Sequence, residues 1–335
     1  MRPLSMVKAL NEAIHQCMLE DKYIIVLGEN VCNRYREETY DLDKYFSKNR
    51  VIDMPISEAA FTGFANGAAM AGLRPIVEFQ VAGLIYPAFD QIVNQAAKLR
   101  LMLGGQCKIP VTFFIMGAGA GGGRAGQHSD NPYPLLIHCG IKTVIPSSPE
   151  DAKGLMISSI LENDPVAIII PAGLIEMTGE VPEGFYKIPF ANGKICREGH
   201  DVTVCAIGNM VPIALKLADK LIDEGIQVEI FDPRSLLPFD KDSLLKSIQK
   251  TRRLVIADDS NRSCGFAAEI SAVVAENFYN ILKAPIKRIT RADMTIPYSA
   301  PIEKELLPDL DKLESAVRFL SLIHISEPTR RYAIS

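Results

Sequence analysis

Three groups of side chains have types and spacings suited to chemistry. The segment Pro55-Ile56-Ser57-Glu58 runs into AAFTGFANGAAMAG, which is almost free of bulky side chains, so another backbone can pack close to it. A carboxylate walled by small apolar residues could be lifted towards neutral pKa by desolvation and exchange a proton there. The plainer reading of Glu58 is a first-turn acid favoured by the helix dipole, and the residues alone leave both open. The second group is the stretch Gly117-Ala118-Gly119-Ala120-Gly121-Gly122-Gly123, followed by Gln127-His128-Ser129. It contains G-x-G-x-x-G after an apolar run, yet Asn131-Pro132 and Pro134 interrupt any helix, and no acid stands about twenty positions on to hold a ribose. The dinucleotide reading is therefore rejected in favour of a loop presenting His128, a side-chain type suited to proton transfer. A Ser-His-Asp hydrolase stays open, since spacing alone does not order a triad. The third group, Asp90, Gln91, Asn94 and Lys98, falls on one helical stripe of PAFDQIVNQAAK. Such a stripe is usually solvated, but the apolar residues between its members point to an interface.

The elements that must position these residues alternate. Apolar, β-branched runs at Ile24–Leu27, Val51–Asp53, Pro75–Phe79, Pro110–Met116, Thr143–Pro146 and Val166–Ile170 predict strands buried on both faces. Helices are expected from Val7 through Met18 and over Glu58–Ala71, Pro87–Leu101 and Pro149–Glu162. After a Gly-, Pro- and charge-rich stretch the pattern restarts, with strands at Val202–Ile207, Val228–Asp232, Leu254–Ala257 and Ile286–Thr290 and helices around Val211–Glu224, Asp240–Lys250 and Ala267–Leu282. The expectation is an α/β chain with two doubly wound, mainly parallel-sheet domains: 4–175, a linker at 176–199, and 200–319.

A length of 335 residues suits about two domains. Hydrophobic residues at 48% and charged residues at 23% are compatible with packed cores. The net charge of -4, without a basic block, argues against a nucleic-acid partner, and no apolar run reaches the roughly 18 residues of a membrane span. Seven cysteines without a Cys-x-x-Cys pair speak against a zinc site or disulfide framework. The start MRPLSMVKALNEAIHQ has no secretory pattern, so a cytoplasmic location is expected, or an organellar matrix if a leader has been lost.

Taken in order, GEN at Gly28–Asn30, RVIDMPISEAAFTGFANGAAMAGLRPIVEF at Arg50–Phe79, PAFDQIVNQAAK, the glycine loop with QHS, SSPEDAKGL, EGHDVTV, VEIFDPRSLLPFD, SIQKTRRLVIADD, GFAAEI and KAPIKRIT resemble the beta subunit of thiamine-diphosphate-dependent 2-oxo acid dehydrogenases over about residues 4 to 319. The resemblance implies a pyrimidine-binding domain followed by a transketolase C-terminal domain. It also implies an alpha subunit that holds the cofactor's diphosphate through Mg²⁺ in an alpha2-beta2 heterotetramer, a 2-oxo acid or acetoin as substrate, and transfer of the acyl unit to a lipoyl acyltransferase. No Gly-Asp-Gly occurs here, as expected of a beta subunit. By the same resemblance Glu58 is the glutamate that bonds the pyrimidine N1′, His128 the channel histidine that supplies protons during acyl transfer, Ile56, Gln80 and Leu84 pyrimidine contacts, and Glu29 an acid near the subunit interface.

This sequence departs from the family at several points. Position 84, usually aromatic, is Leu84; the usual arginine after the fourth strand is Phe114; the Gln after His-Ser is Asp130; and a Gly-Gly has become Cys264-Gly265. The potassium site of some relatives would fall on Val111, Ser159, Glu162 and Asp164, where Asp-x-Asn has become Glu-x-Asp. These departures keep two alternatives in view, a split transketolase-like subunit and a non-catalytic divergent subunit. Leu320–Arg330, LSLIHISEPTR, resembles the translation of a sequencing-library adapter, and 320–335 is set apart from the fold as a tail.

Overall fold

The computed structural model describes residues 1–32, 37–120 and 122–322. The chain forms two units, and no single cut separates them: Met1–Asn192 is joined by Arg234–Asp240 and Asp293–Leu307, while Gly193–Pro233, Lys241–Ala292 and the chain from Pro308 make the second. The stretch 176–199, expected as a linker, contains two strands, Thr178–Val181 and Lys194–Arg197. The first pairs antiparallel with Arg2–Ser5 and the second joins the sheet of the second unit.

In the first unit a seven-stranded sheet runs from edge to edge as Ser235–Leu237, Lys142–Val144, Val166–Pro171, Thr112–Ala118, Arg74–Phe79, Ile24–Gly28 and Val51–Asp53. Neighbours are parallel except Ser235–Leu237, which lies antiparallel on Lys142–Val144. The inner strands are buried almost throughout, as their unbroken β-branched runs require. Val51–Asp53 is an edge strand: only Val51 is buried and Asp53 is exposed, so the expectation of burial on both faces fails there. Helix Met6–Glu20, capped by Ser5 Oγ accepting from Lys8 N at 3.3 Å, buries Met6, Leu10, Ile14 and Met18 against helix Pro149–Leu161. Lys153 on the latter is fully buried, and its ammonium donates to Glu12 at 2.6 Å and to the carbonyls of Pro182 at 3.2 Å and Gly184 at 2.6 Å. Three acceptors offset the desolvation of that charge. Arg234 anchors the returning segment through Asp151 at 2.9 Å and the carbonyl of Asn192.

The helix expected over Pro87–Leu101 is replaced by a π-helical stretch at Gln91–Ala96 and a short helix at Leu99–Met102, and a 3₁₀ turn at Ala82–Ile85 precedes it. A repeat of apolar residues does not separate α from π winding over a single turn, which is why spacing misses the change.

The second unit's five strands lie in the order Lys287–Arg291, Leu254–Asn261, Val202–Ala206, Val228–Asp232 and Lys194–Arg197, parallel but for the last. Helices Met210–Ile222, Lys241–Thr251, Phe266–Phe278 and Leu310–Leu322 flank them. Leu313, Val317 and Leu320 of the final helix are fully buried in this unit's core. Leu320 thus belongs to the fold and not to the tail in which it was placed, and positions 321 and 322 end the same helix; residues 323–335 of that tail lie outside the described residues.

Candidate active site

In parallel sheets ligands bind beyond the carboxyl ends of the strands, where neighbouring crossovers leave in opposite directions. In the first unit that switch lies between Ile24–Gly28, whose chain moves on to one neighbour at Val51–Asp53, and Arg74–Phe79, whose chain moves on to the other at Thr112–Ala118. The residues immediately after these four strands are Glu29, the Met54–Glu58 segment, Gln80 and the glycine loop. Five of the sequence-derived candidates, Glu29, Ile56, Glu58, Gln80 and His128, therefore leave one edge of one sheet, and Leu84 follows Gln80 in the turn Ala82–Ile85.

Across the switch, Gln80 Nε2 donates to the Glu29 carbonyl at 2.8 Å, which joins the two strand ends. Glu29 itself is 9% exposed. Glu58 opens helix Glu58–Met70, half-buried, and among the described residues its carboxylate has no hydrogen-bond or ion-pair partner. Ile56, two residues earlier, is 82% exposed. Phe61 on the inner face of the helix packs on Phe79 with ring centroids 5.6 Å apart, so the first turn is fixed to the end of its strand. Asn66 Nδ2 donates to the Gln91 carbonyl at 2.8 Å and fastens the helix to the π-helical stretch. On that stretch Lys98 donates to Asn94 at 2.8 Å and Asn94 to Asp90 at 2.7 Å, so the polar stripe forms a ladder of its own.

His128 ends a 3₁₀ turn at Gly126–His128 and is exposed, while Ser129 beside it is fully buried. The turn lies directly on the one that carries Leu84: a Cβ at Gly83 would collide with the Gln127 carbonyl oxygen, so only glycine permits this approach. Gly119 N donates to the Asp130 carbonyl at 2.8 Å, and Tyr86 Oη bonds the Asp130 carboxylate. Phe114, which stands where the family has arginine, is fully buried in the core.

The four residues named for potassium sit at the opposite, amino-terminal edge of the sheet. The Val111 carbonyl accepts from Val166 N at 3.0 Å, and Ser159 Oγ donates to the Leu155 carbonyl at 2.8 Å. Glu162 is paired with Lys142 at 3.1 Å, and Asp164 with Lys142 at 3.2 Å and with Arg100. Burial acts to raise both carboxyls, but at Glu162 the hydrogen bond from Asn163 N and Lys142 outweigh it, and at Asp164 Arg100 and Lys142 do, so both sit below the ordinary carboxylate range. Arg74 Nη1 donates to the carbonyls of Ile160 at 3.0 Å and Glu162 at 2.8 Å. Oxygens already facing three cationic side chains do not fit a bound potassium ion. Among the described residues no group of three or more His, Cys, Asp and Glu is arranged to hold a metal ion, and no helix is long and apolar enough to cross a membrane.

The sequence matches the transketolase pyrimidine binding domain over residues 2–177 and the transketolase C-terminal domain over residues 191–313. It is 42% identical to the acetoin:2,6-dichlorophenolindophenol oxidoreductase subunit beta of Bacillus subtilis (strain 168), covering 94% of this chain and 96% of that protein. The chain belongs to the family of thiamine-diphosphate-dependent 2-oxo acid dehydrogenase beta subunits. Other members of this beta-subunit family that it resembles are the pyruvate dehydrogenase E1 component subunit beta of Rickettsia felis, 38% identical over 93% of this chain and 96% of that one, and the 2-oxoisovalerate dehydrogenase subunit beta of Pseudomonas aeruginosa, 37% identical over 88% and 89%. A solved structure described as a split gene transketolase, an inactive beta4 tetramer, superposes with a TM-score of 0.76 at 22% identity, over 95% of this chain and 98% of that one, and shares its fold.

One residue of this beta-subunit chain's site was absent from the sequence reading. Glu303, on helix Ala300–Leu306, is 3% exposed and accepts from Gly122 N at 3.0 Å and Gly123 N at 2.8 Å. Some 180 positions separate the partners, and no local spacing signals the pair.

Proposed function

We propose that this chain works with an alpha subunit as the first component of an oxidative acyl-transferring complex, taking acetoin or a pyruvate-like 2-oxo acid and passing the acyl unit to a lipoyl acceptor. The reading rests on one observation above all, the first-turn carboxylate of Glu58 beside the switch in the first sheet, unpaired among the described residues. A half-buried acid with no partner among the described residues is suited to a ligand that bears a ring nitrogen, and exposed Ile56 gives that ring an apolar neighbour. Thiamine diphosphate, when bound, supplies the nucleophilic carbon and the electron sink that open the bond beside the substrate carbonyl. Glu58 would hold and release a proton at its carboxylate, and Gln80, Leu84 and Glu29 would shape the pocket around the ring. His128, exposed on its turn, would move protons during acyl transfer. The alpha subunit would bring the Mg²⁺ ligands, and the assembly would be an alpha2-beta2 heterotetramer working in the cytoplasm. Potassium would play no part, because the carboxylates proposed for it are neutralised by Lys142 and Arg100. Among the substrates acetoin is the first choice, since the relative at 42% identity is named for it.

Co-expression with the alpha subunit, followed by dye-linked turnover of acetoin, pyruvate and branched 2-oxo acids, tests this. Turnover is expected from the pair and none from the isolated chain. Robust activity of the chain alone with thiamine diphosphate and Mg²⁺ would overturn the half-site reading. Replacing His128 by Ala should lower lipoyl acylation about 10²-fold and leave exchange of the cofactor's C2 proton unchanged; the reverse pattern would remove His128 from acyl transfer.

A further inference from the structure

The loop that carries His128 is held in a conformation it would not keep by itself. Gly122 and Gly123 have φ of 75° and 74°, and Ala125, a residue with a side chain, has φ 61° and ψ -176°. That region is nearly closed to any residue but glycine and costs on the order of 1–3 kcal/mol, so it persists only where the surroundings over-determine it. The surroundings here are three contacts. The Glu303 carboxylate takes the successive N–H groups of Gly122 and Gly123, one on each oxygen. The methyl group of Thr295 lies where a Cβ on Gly126 would come within 2.7 Å, and the Gln127 carbonyl rests on Gly83. Glu303 and Thr295 both lie in Asp293–Leu307, the segment that returns to the first unit after the chain has built most of the second.

We propose that Glu303 is a positioning residue: by clamping Gly122 and Gly123 it holds the strained turn at Ala125 and so sets where His128 stands. A buried carboxylate that accepts two charge-assisted hydrogen bonds is a strong restraint on the loop, and because its partners are backbone donors it leaves exposed Gln127 and His128 free of the clamp. The proposal rests on the reading of His128 for its purpose but not for its geometry, and the two can be tested apart.

Glu303→Gln is isosteric but faces one of the two N–H groups with an NH2, so one bond is replaced by a donor–donor contact. In the full chain, amide hydrogen exchange across residues 119–129 should then quicken about ten-fold or more, while strand Ile24–Gly28 is unchanged. Tryptic cleavage after exposed Arg124 should quicken with it. Gly123→Ala, which keeps Glu303 and strains the left-handed position, should loosen the same peptide. In the assembled complex Glu303→Gln should lower kcat for acyl transfer with KM for the oxo substrate and cofactor C2-proton exchange unaltered, a split that general destabilisation does not produce. Unchanged loop exchange in Glu303→Gln would overturn the clamp. A loosened loop with wild-type acyl transfer would overturn its role in positioning. If Glu303→Gln impairs acyl transfer while His128→Ala does not, the clamp stands and the role given to His128 falls.

Discussion

Both units are built on a mainly parallel sheet, and each has a switch between crossovers at the carboxyl edge of that sheet, yet the two edges are finished in opposite ways. In the first unit the edge bears Glu58, a carboxylate without a partner among the described residues, an exposed apolar neighbour, Ile56, and an exposed histidine on a strained turn. In the second, the switch falls between Val202–Ala206 and Leu254–Asn261, and the carboxylates there are paired. Asp259 pairs with buried Arg291 at 3.4 Å and accepts from Asn209 at 3.3 Å. Asp258 accepts from Ser260 Oγ at 2.8 Å and from Ala267 N at 3.2 Å in the first turn of helix Phe266–Phe278, the position where a bound anion would otherwise sit. A reversal of crossover direction in a parallel sheet thus provides a crevice twice. Whether the crevice serves a ligand depends on whether the chain has already spent its polar groups on itself.

The contrast is tested first at Glu58. Glu58→Gln in the assembled complex should lower turnover by about 10³-fold while cofactor affinity changes little, since an amide still hydrogen-bonds a ring nitrogen but does not exchange its proton. Unchanged turnover with a correctly assembled complex would erase the distinction between the two edges. In the second unit the corresponding change should damage folding instead of chemistry. Arg291→Met leaves Asp259 buried without its cation and should cost about 3–5 kcal/mol in a urea unfolding experiment, with turnover per folded complex preserved; lost turnover at full stability would show that this edge also serves the reaction.

A smaller effect concerns Asp258. Burial raises its carboxyl to about 7, with Asp259 adding to the rise and the bonds from Ser260 and Ala267 opposing it. Its folded-state pKa lies above the unfolded value near 3.9, so the native state holds the extra proton between them. Stability should therefore be greatest at the acid end of that window and fall as pH rises through about 7, at up to about 1.4 kcal/mol per pH unit, and Asp258→Asn should flatten the profile. A wild-type profile equally flat from pH 5 to 8 would show that Asp258 does not titrate there. The smallest change is expected at the amino-terminal edge of the first sheet, where Arg100 and Asp164 pair close to the surface. Arg100→Ala should cost about 1 kcal/mol or less, and exchanging potassium for sodium at fixed ionic strength should leave the thermal midpoint where it is. A potassium-specific rise in that midpoint would restore an ion to this edge.

Much of the fold was readable because burial and chain direction leave local marks. Val166–Pro171 is apolar at nearly every position since both faces are covered, and Val228–Asp232 begins and ends where its pattern does. Arg2–Ser5, Thr178–Val181, Lys194–Arg197 and Ser235–Leu237 left no such mark. These are short edge strands, all but Ser235–Leu237 largely exposed or half-exposed, and they become strands through the partner each one meets. The carboxyl edge was legible for a different reason: Gln80 and Glu29 directly follow strands, and Glu58 follows one within five residues, so reading strands amounts to reading their ends.

By itself, then, the sequence determined the alternation of strand and helix, the two-part plan, the beta-subunit family and the residues that leave the strand ends, because each of these is written in spacings of a few residues or in ordered motifs. Only the tertiary structure decided which carboxylates are paired. Glu162 and Asp164 look in sequence like ligands, yet they are neutralised by Lys142 and Arg100, and Glu303 looks like a surface acid, yet it closes on a loop about 180 residues away. Pairing of charge depends on distance in space, and distance in space between remote segments is set by packing of the whole unit, which no local pattern records.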